Sequence, residues 1–244
     1  MNKELIKKRF GRKLSTYDEN ARIQKQMAEK LINMIPGNGC CKNILEIGCG
    51  TGLLTKLAES RLSFKNYTAL DIVSECESFI KEINPEMEFV GEDIEKYVEE
   101  TNVSYDLIIS NASLQWVENI PEIAEKLIEK LEDGGTLLFS IFGCENFREI
   151  CYIIGKTLPY LSKKELEQKL SKFFPYIEEE IRIMAFSSPL DVLKHIQNTG
   201  VNALNQESWT KNDLIRFENE YNSLCANHPT LTYNPIYVKI QKSI

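Results

Sequence analysis

Residues Asn43 to Leu53, NILEIGCGTGL, pass from an apolar run into glycines at every second position, Gly48, Gly50 and Gly52, and then resume a helical pattern. Such a segment reads as a strand buried on both faces, a tight loop and a helix start. Glycines there tolerate positive φ and let backbone N–H groups come close to a ligand. The spacing excludes two familiar loops. A dinucleotide fingerprint needs its third glycine three residues after the second, where Leu53 stands, and a phosphate P-loop needs Gly-Lys-Ser/Thr after a four-residue gap, which is absent. A tight turn in some other α/β protein stays open on local grounds.

The remaining pattern is that of alternating strands and helices. A helix is expected over Glu19–Ile35, with Ala28, Leu31, Ile32 and Ile35 on one face, a Thr16-x-x-Glu19 capping box before it, and Pro36 and Gly37 ending it. Further strands are expected at Tyr67–Asp71, Glu86–Val90, Tyr105–Ser110 and Thr136–Phe142. The stripe Ile120, Ile123, Ala124, Leu127, Ile128, Leu131 predicts a helix closed by Gly134 and Gly135. Strands and helices in this rhythm imply right-handed parallel βαβ units, whose ligands bind at the carboxyl ends of the strands. Beyond Glu145 the texture changes: a helical stretch to Pro175 carrying Lys156, Lys163, Lys164, Lys169 and Lys172, a strand at Ile181–Phe186, helices at Leu190–Gln197 and Asn212–Leu224, and a β-rich run at Leu231–Ile240 expected to pair antiparallel beside the preceding strand.

At 244 residues this suits one domain over 1–244, with an N-terminal helical arm over 1–36 and cap elements within 145–228. No apolar run approaches a membrane-spanning length, and MNKELIKKRFGRKL lacks the apolar core and cleavage site of a secretory signal, so a cytoplasmic protein with no membrane partner is expected. A net charge of −7 argues against general nucleic-acid binding. Seven cysteines with no C-x-x-C pair, beside only two histidines, support neither a disulfide framework nor a zinc site, so no metal is expected.

Glu-x-Gly-x-Gly-x-Gly at Glu46, Gly48, Gly50 and Gly52 resembles the first motif of class I S-adenosylmethionine-dependent methyltransferases. The resemblance implies a Rossmann-like α/β fold, a seven-stranded mostly parallel sheet with helices on both faces and a helical cap, its last strand antiparallel. It implies S-adenosyl-L-methionine as cofactor and S-adenosyl-L-homocysteine as product. Asp71, at the end of TALDI beside Ile72, can accept the two ribose hydroxyls through charge-assisted bonds, and it can equally be a helix N-cap. Asp93, followed by Ile94 in GEDIE, is the candidate acceptor for the adenine amino group, with an N-cap role equally open. Asn111 falls beside the methionine portion, and Ser113 to Trp116 at the pocket lip; Trp116 could simply be core. Glu46 holds the loop and the cofactor's amino group, or braces the loop alone.

Phe10, Tyr17, Asp18, Ala21 and Gln24 form F-x6-Y-D-x2-A-x2-Q, and Gln24 lies on the apolar face of its helix, where a buried amide needs a partner in cofactor or substrate. This pattern, with NASLQWVEN, FSIFGCENFREI and LTYNPIYV, resembles the malonyl-acyl-carrier-protein O-methyltransferase family of biotin synthesis over nearly the whole chain. The resemblance implies esterification of the free carboxyl of a malonyl thioester, carried by acyl carrier protein or by coenzyme A. Under it Tyr17 and Arg148 are the candidate catalytic residues, and Tyr17, Trp116 and Arg148 form the substrate pocket, with Arg148 as a bidentate clamp on the malonyl carboxylate. Tyr17 as a hydrophobic staple and Arg148 as an exposed partner of a neighbouring acid are the plain alternatives. Lys3, Lys7, Lys8, Arg9, Arg12 and Lys13 form a basic arm suited to an acidic carrier protein. A small-molecule C- or O-methyltransferase, and a protein that binds the cofactor without turnover, share the same cofactor residues.

Overall fold

The computed structural model describes residues 3–35, 40–155, 159–199 and 209–243. Three helices lead in: α1 (Lys3–Gly11), α2 (Leu14–Asn20) and α3 (Arg22–Asn33). They are followed by β1 (Cys40–Ile47), α4 (Leu53–Arg61), β2 (Ser63–Leu70), α5 (Glu77–Ile83), β3 (Glu88–Val90), α6 (Ile94–Glu100), β4 (Tyr105–Asn111), α7 (Ile120–Glu129) and β5 (Leu131–Phe142). The second part holds α8 (Arg148–Ile154), α9 (Lys163–Lys169), β6 (Tyr176–Glu179), β7 (Arg182–Ala185), α10 (Pro189–Asn198), α11 (Lys211–Leu224), β8 (Thr230–Tyr233) and β9 (Pro235–Gln241).

Seven strands form one sheet in the order β3-β2-β1-β4-β5-β9-β6. β1 to β5 pair in parallel, and β9 runs antiparallel between β5 and β6. Side chains alternate between two buried faces, as the period of two requires: Ile44, Leu107, Ile109 and Leu138 face the layer that holds Met27, Leu31 and Ala58, whereas Leu45, Ile108, Leu137 and Phe139 face Val98, Ile123 and Leu127. Strand order reverses between β1 and β4, so the loops leaving those two strands diverge and open a crevice there.

Several expectations are corrected. The expected helix over Glu19–Ile35 is broken at Ala21 (φ −83°, ψ 38°) into α2 and α3, and Thr16 lies inside α2 rather than capping a helix. Pro36 and Gly37, expected to end it, lie outside the described residues, as does Lys156. Gly134 and Gly135 do not close α7; that helix ends at Glu129, and the glycines sit within β5, where the register with β4 shifts. The reason is steric, since Gly134 has φ +77° and a Cβ on Gly135 would lie 2.8 Å from the Glu132 carbonyl oxygen. The stretch Glu145–Pro175 is not one helix but α8, α9 and a short 3-10 turn at Ser171–Phe173. The β-rich run at Leu231–Ile240 divides at Asn234: β8 pairs antiparallel with β7 in a separate two-stranded sheet, and β9 joins the main sheet.

That division is held by two sequence motifs that prove to be each other's partners. Asn146 Oδ1 accepts from the Asn234 amide at 3.2 Å, the Phe147 amide donates to the Thr232 carbonyl at 2.8 Å, and the Glu149 carboxylate takes both the amide and the hydroxyl of Thr232 at 2.9 and 2.5 Å. The Asn234 amide group in turn accepts from Glu145 N and donates to Glu179 Oε1 and the Glu180 carbonyl. Gly143 passes beneath it, and a Cβ there would come within 2.3 Å of Asn234 Oδ1 and 2.6 Å of Ile236 Cδ1. Because Asn234 is fixed by hydrogen bonds on both ends of its amide, it cannot yield, and Gly143→Ala should destabilise the fold by about 1–3 kcal/mol in urea unfolding. Wild-type stability in that variant would contradict this packing.

Candidate active site

The crevice at the strand reversal holds about 700 Å3 of space, part of it open to solvent. Its floor is the loop after β1. Gly48, Gly50 and Gly52 all have positive φ (70°, 53° and 79°), the conformation the alternate-glycine spacing anticipates. Gly48 also yields space: a Cβ on it would lie 1.9 Å from Ser113 Oγ, so the loops after β1 and β4 touch. Gly52 does not line the cavity; it lets α4 start against α5, where a Cβ would meet Ile83 Cδ1 at 2.4 Å.

Two buried carboxylates flank this loop. Asp71, 7% exposed, accepts the Gly50 amide on Oδ2 and the Val73 amide on Oδ1, each at 2.9 Å. It therefore caps no helix but fastens the glycine loop to the end of β2. Burial raises its pKa, and the backbone donors oppose that shift. Glu46, 1% exposed, accepts from Thr55 Oγ1 and Tyr67 OH, both at 2.6 Å and both on Oε2, which leaves Oε1 for a ligand. Burial pushes the Glu46 carboxyl up to about 7 against those two hydrogen bonds.

Of the residues singled out in the sequence, Tyr17, Glu46, Gly48, Gly50, Asp71, Ile72, Asn111 and Trp116 all line this cavity. A second cavity, about 510 Å3, shares Gly48, Asp71, Ile72 and Trp116 with the first and adds Asp93 and Ile94. Asp93 is an N-cap there, accepting from Glu95 N at 2.8 Å, and it also pairs with Lys3 Nζ at 2.8 Å. Asn111 donates to the Gln24 carbonyl at 3.0 Å and accepts from Ser140 Oγ at 2.8 Å, so it is fixed before any ligand arrives. Gln24 itself is buried behind it and lines neither cavity, and its Oε1 has no partner among the described residues. Arg148 is not brought to either cavity; its side chain is half exposed, 3.7 Å from Glu149, which is the acid-paired alternative rather than the clamp.

Two further lining residues, Phe10 and Lys3, take roles that the N-terminal pattern and the basic arm do not specify. Phe10 packs against Tyr17 with ring centroids 4.9 Å apart and lies beside Gly50, so the arm roofs the loop. Lys3 closes the second cavity by pairing with Asp93 and Glu95. Nothing in a terminal lysine's sequence context distinguishes it from a solvated one.

Comparison with known proteins bears on the fold and the family. A family model described as "Methyltransferase domain" matches residues 17–205. A malonyl-[acyl-carrier protein] O-methyltransferase of Chlorobium luteolum is 36% identical over 99% of this chain and 96% of its own length, and that of Calditerrivibrio nitroreducens is 35% identical over 97% and 96%. The Bacteroides thetaiotaomicron enzyme of the same name is 33% identical over 99% of both chains. Among solved structures, the N-methyltransferase NodS of Bradyrhizobium japonicum, in complex with S-adenosyl-L-homocysteine, superposes with a TM-score of 0.55 at 14% identity, covering 97% of this chain and 98% of its own.

Glu46 supplies a pH signature. The folded chain retains a proton on Glu46 up to about pH 7, whereas the unfolded chain releases it near 4.5, so Glu46's contribution to stability is greatest at low pH, falls between about 4.5 and 7, and is level above. Subtracting the stability-versus-pH curve of Glu46→Gln from that of the wild type should recover this descending step; a flat difference would place the Glu46 carboxylate in a water-like setting.

Proposed function

This chain belongs to the malonyl-[acyl-carrier protein] O-methyltransferase family, and from that premise we propose how its own residues carry out the reaction. The reaction is the conversion of the free carboxyl of a malonyl thioester to its methyl ester, with S-adenosyl-L-methionine as methyl donor, a step of biotin synthesis. When bound, the cofactor supplies an electrophilic methyl on a positively charged sulfur.

The pocket fits such a molecule, which carries an ammonium at its amino-acid end, a sulfonium at its centre and an adenosine at the other end. Glu46 Oε1, which accepts from no donor among the described residues, is an acceptor suited to the ammonium group. Asp71 has lone pairs left after its two amide bonds and takes the ribose hydroxyls. Ile72 and Ile94 offer apolar faces for the adenine ring, and Asp93 an acceptor for its amino group. Tyr17, Phe10 and Trp116 exclude water from the cavity.

The observation that carries the acceptor assignment is that among the described residues no histidine lines either cavity, burial holds the Tyr17 phenol well above its ordinary pKa, and the lining carboxylates Glu46, Asp71 and Asp93 are each engaged by donors of the protein itself. A carboxylate is already ionised at pH 7, so its attack needs alignment and exclusion of water rather than proton removal. The family relatives are named for acyl carrier protein, and the arm offers Lys7, Lys8 and Arg12, which make no ion pair among the described residues, as a docking surface for an acidic carrier. In the helical region, by contrast, Lys163 and Lys172 are paired with Glu167 and Glu125.

Two experiments test this reading. Asp71→Ala should weaken S-adenosyl-L-homocysteine binding at least about tenfold by calorimetry, since charge-assisted hydrogen bonds to the ribose contribute roughly 1.5–3 kcal/mol each; unchanged affinity would remove Asp71 from the site. A panel of malonyl-acyl-carrier protein, malonyl-coenzyme A and other small carboxylic acids, read by mass spectrometry at low and high salt, should yield a malonyl methyl ester, with the carrier-bound acceptor the more salt-sensitive. Methylation of another acceptor with none of the malonyl thioesters would overturn the reading.

A further inference from the structure

The arm helix α1 reaches both cavities. Phe10, near its carboxyl end, lines the first: the ring packs on Tyr17, and a Cβ on Gly50 would lie 3.6 Å from Phe10 Cε1. Lys3, at its amino end, lines the second, where Nζ pairs with Asp93 Oδ2 at 2.8 Å and with the Glu95 carboxylate. The helical rise between the two positions is about 10 Å. Thus α1 bridges the two cavities, which share Gly48, Asp71, Ile72, Ser113 and Trp116 as a common wall. Just past its carboxyl end, Lys13 Nζ donates to Asn198 Oδ1 on α10 at 3.3 Å, so that end is seated twice.

Lys3 is the one basic side chain lining either cavity among the described residues. Glu92, also on the wall of the second cavity, is taken by Lys96, which leaves Asp93 and Glu95 to Lys3. Asp93 is divided between two donors, Oδ1 accepting from Glu95 N and Oδ2 from Lys3 Nζ. Each oxygen keeps a further lone-pair site, so the pairing leaves Asp93 able to accept from a ligand. All three charged side chains are partly exposed, and ion pairs in that setting are weak and screened by salt. Such pairs suit a closure that opens at each turnover better than a permanent tie.

We propose that Lys3 is a positioning residue that controls cofactor exchange: through Asp93 and Glu95 it latches α1 across the nucleoside end of the site, and the cofactor enters and leaves when these pairs open. This rests on the methyl-transfer reading above. With the adenine beside Ile94 and the amino-acid end beside Glu46, the bound molecule extends through both cavities, from the Lys3 end of α1 to the Phe10 end. The carboxyl end of α1 stays seated through Phe10 and Lys13 while the Lys3 end lifts. Lys3 needs no bond to the ligand for this. Glu95 separates a latch from a ligand contact, because it lines neither cavity and its charge acts on exchange only through Lys3.

The test times S-adenosyl-L-homocysteine binding and release in the wild type, Lys3→Met, Glu95→Gln and the double variant, read by the fluorescence of Trp116, which lines both cavities. A latch slows entry as well as exit. At low salt Lys3→Met should therefore speed both at least about threefold while the dissociation constant stays within about twofold of wild type. Glu95→Gln should give part of that acceleration, and the double variant should match Lys3→Met, which already removes both pairs. Added salt should speed release from the wild type and leave Lys3→Met unchanged. Wild-type release rates in Lys3→Met or in Glu95→Gln would overturn the latch. So would a faster release in Lys3→Met with unchanged association and an equally weakened dissociation constant, which is the signature of a direct ligand contact. Failure of the wild type to bind S-adenosyl-L-homocysteine at all would overturn the methyl-transfer reading together with the latch.

Discussion

The Asp71 carboxylate, with one oxygen on the amide of Gly50 and the other on that of Val73, is the interaction on which the site depends. It fastens a loop with left-handed glycines at Gly48, Gly50 and Gly52 to the neighbouring strand end, adding to the burial of Cys49 and Thr51 between them. The Gly48 and Cys49 amides reinforce the tie by donating to the Leu70 carbonyl at 2.7 and 3.2 Å. With the loop fixed, its backbone forms a floor rather than a flexible flap, and ligand binding need not first order it. The same carboxylate retains lone pairs for a ligand hydroxyl, since its two amide bonds do not use all of its acceptor capacity.

Around this tie the protein buries acceptors of negative character and offsets them sparingly. Glu46 and Asp71 are nearly free of solvent, and no lysine or arginine among the described residues pairs with either. Such an arrangement costs stability without a ligand, since burial raises both pKa values. A cationic cofactor relieves that cost directly. At the other end of the sheet order, β9 and the turn at Asn234 bring the chain's late motifs against the end of β5, with Tyr233 packed on Phe142 and Phe147.

The cofactor half of this site was legible in the sequence because its signals are local. Alternate glycines report positive φ, and carboxylates or amides at predicted strand ends, such as Glu46, Asp71 and Asn111, report a crevice whenever the strands are parallel. Much of the rest depends on contacts the sequence does not display. Leu231–Ile240 looks like one strand because its alternation continues through Asn234, and only the partners on either side divide it. Leu131 fits the apolar stripe of α7 as well as it fits β5, and the bulge at Gly134 and Gly135 decides between them. The short edge strand β6 has no pattern long enough to register. Arg148 falls outside both cavities although the NFRE pattern singles it out, and Lys3 stands in no motif; its importance appears only as an ion pair across 90 residues.

The most direct measurement of the central claim is a crystal structure of the protein with S-adenosyl-L-homocysteine. The account predicts the ribose hydroxyls within hydrogen-bond distance of Asp71, the amino-acid end against Glu46, and the adenine between Ile72 and Ile94, with the Gly48–Gly52 backbone unmoved. A nucleoside bound elsewhere, or a glycine loop that must leave Asp71 to admit it, would contradict the account.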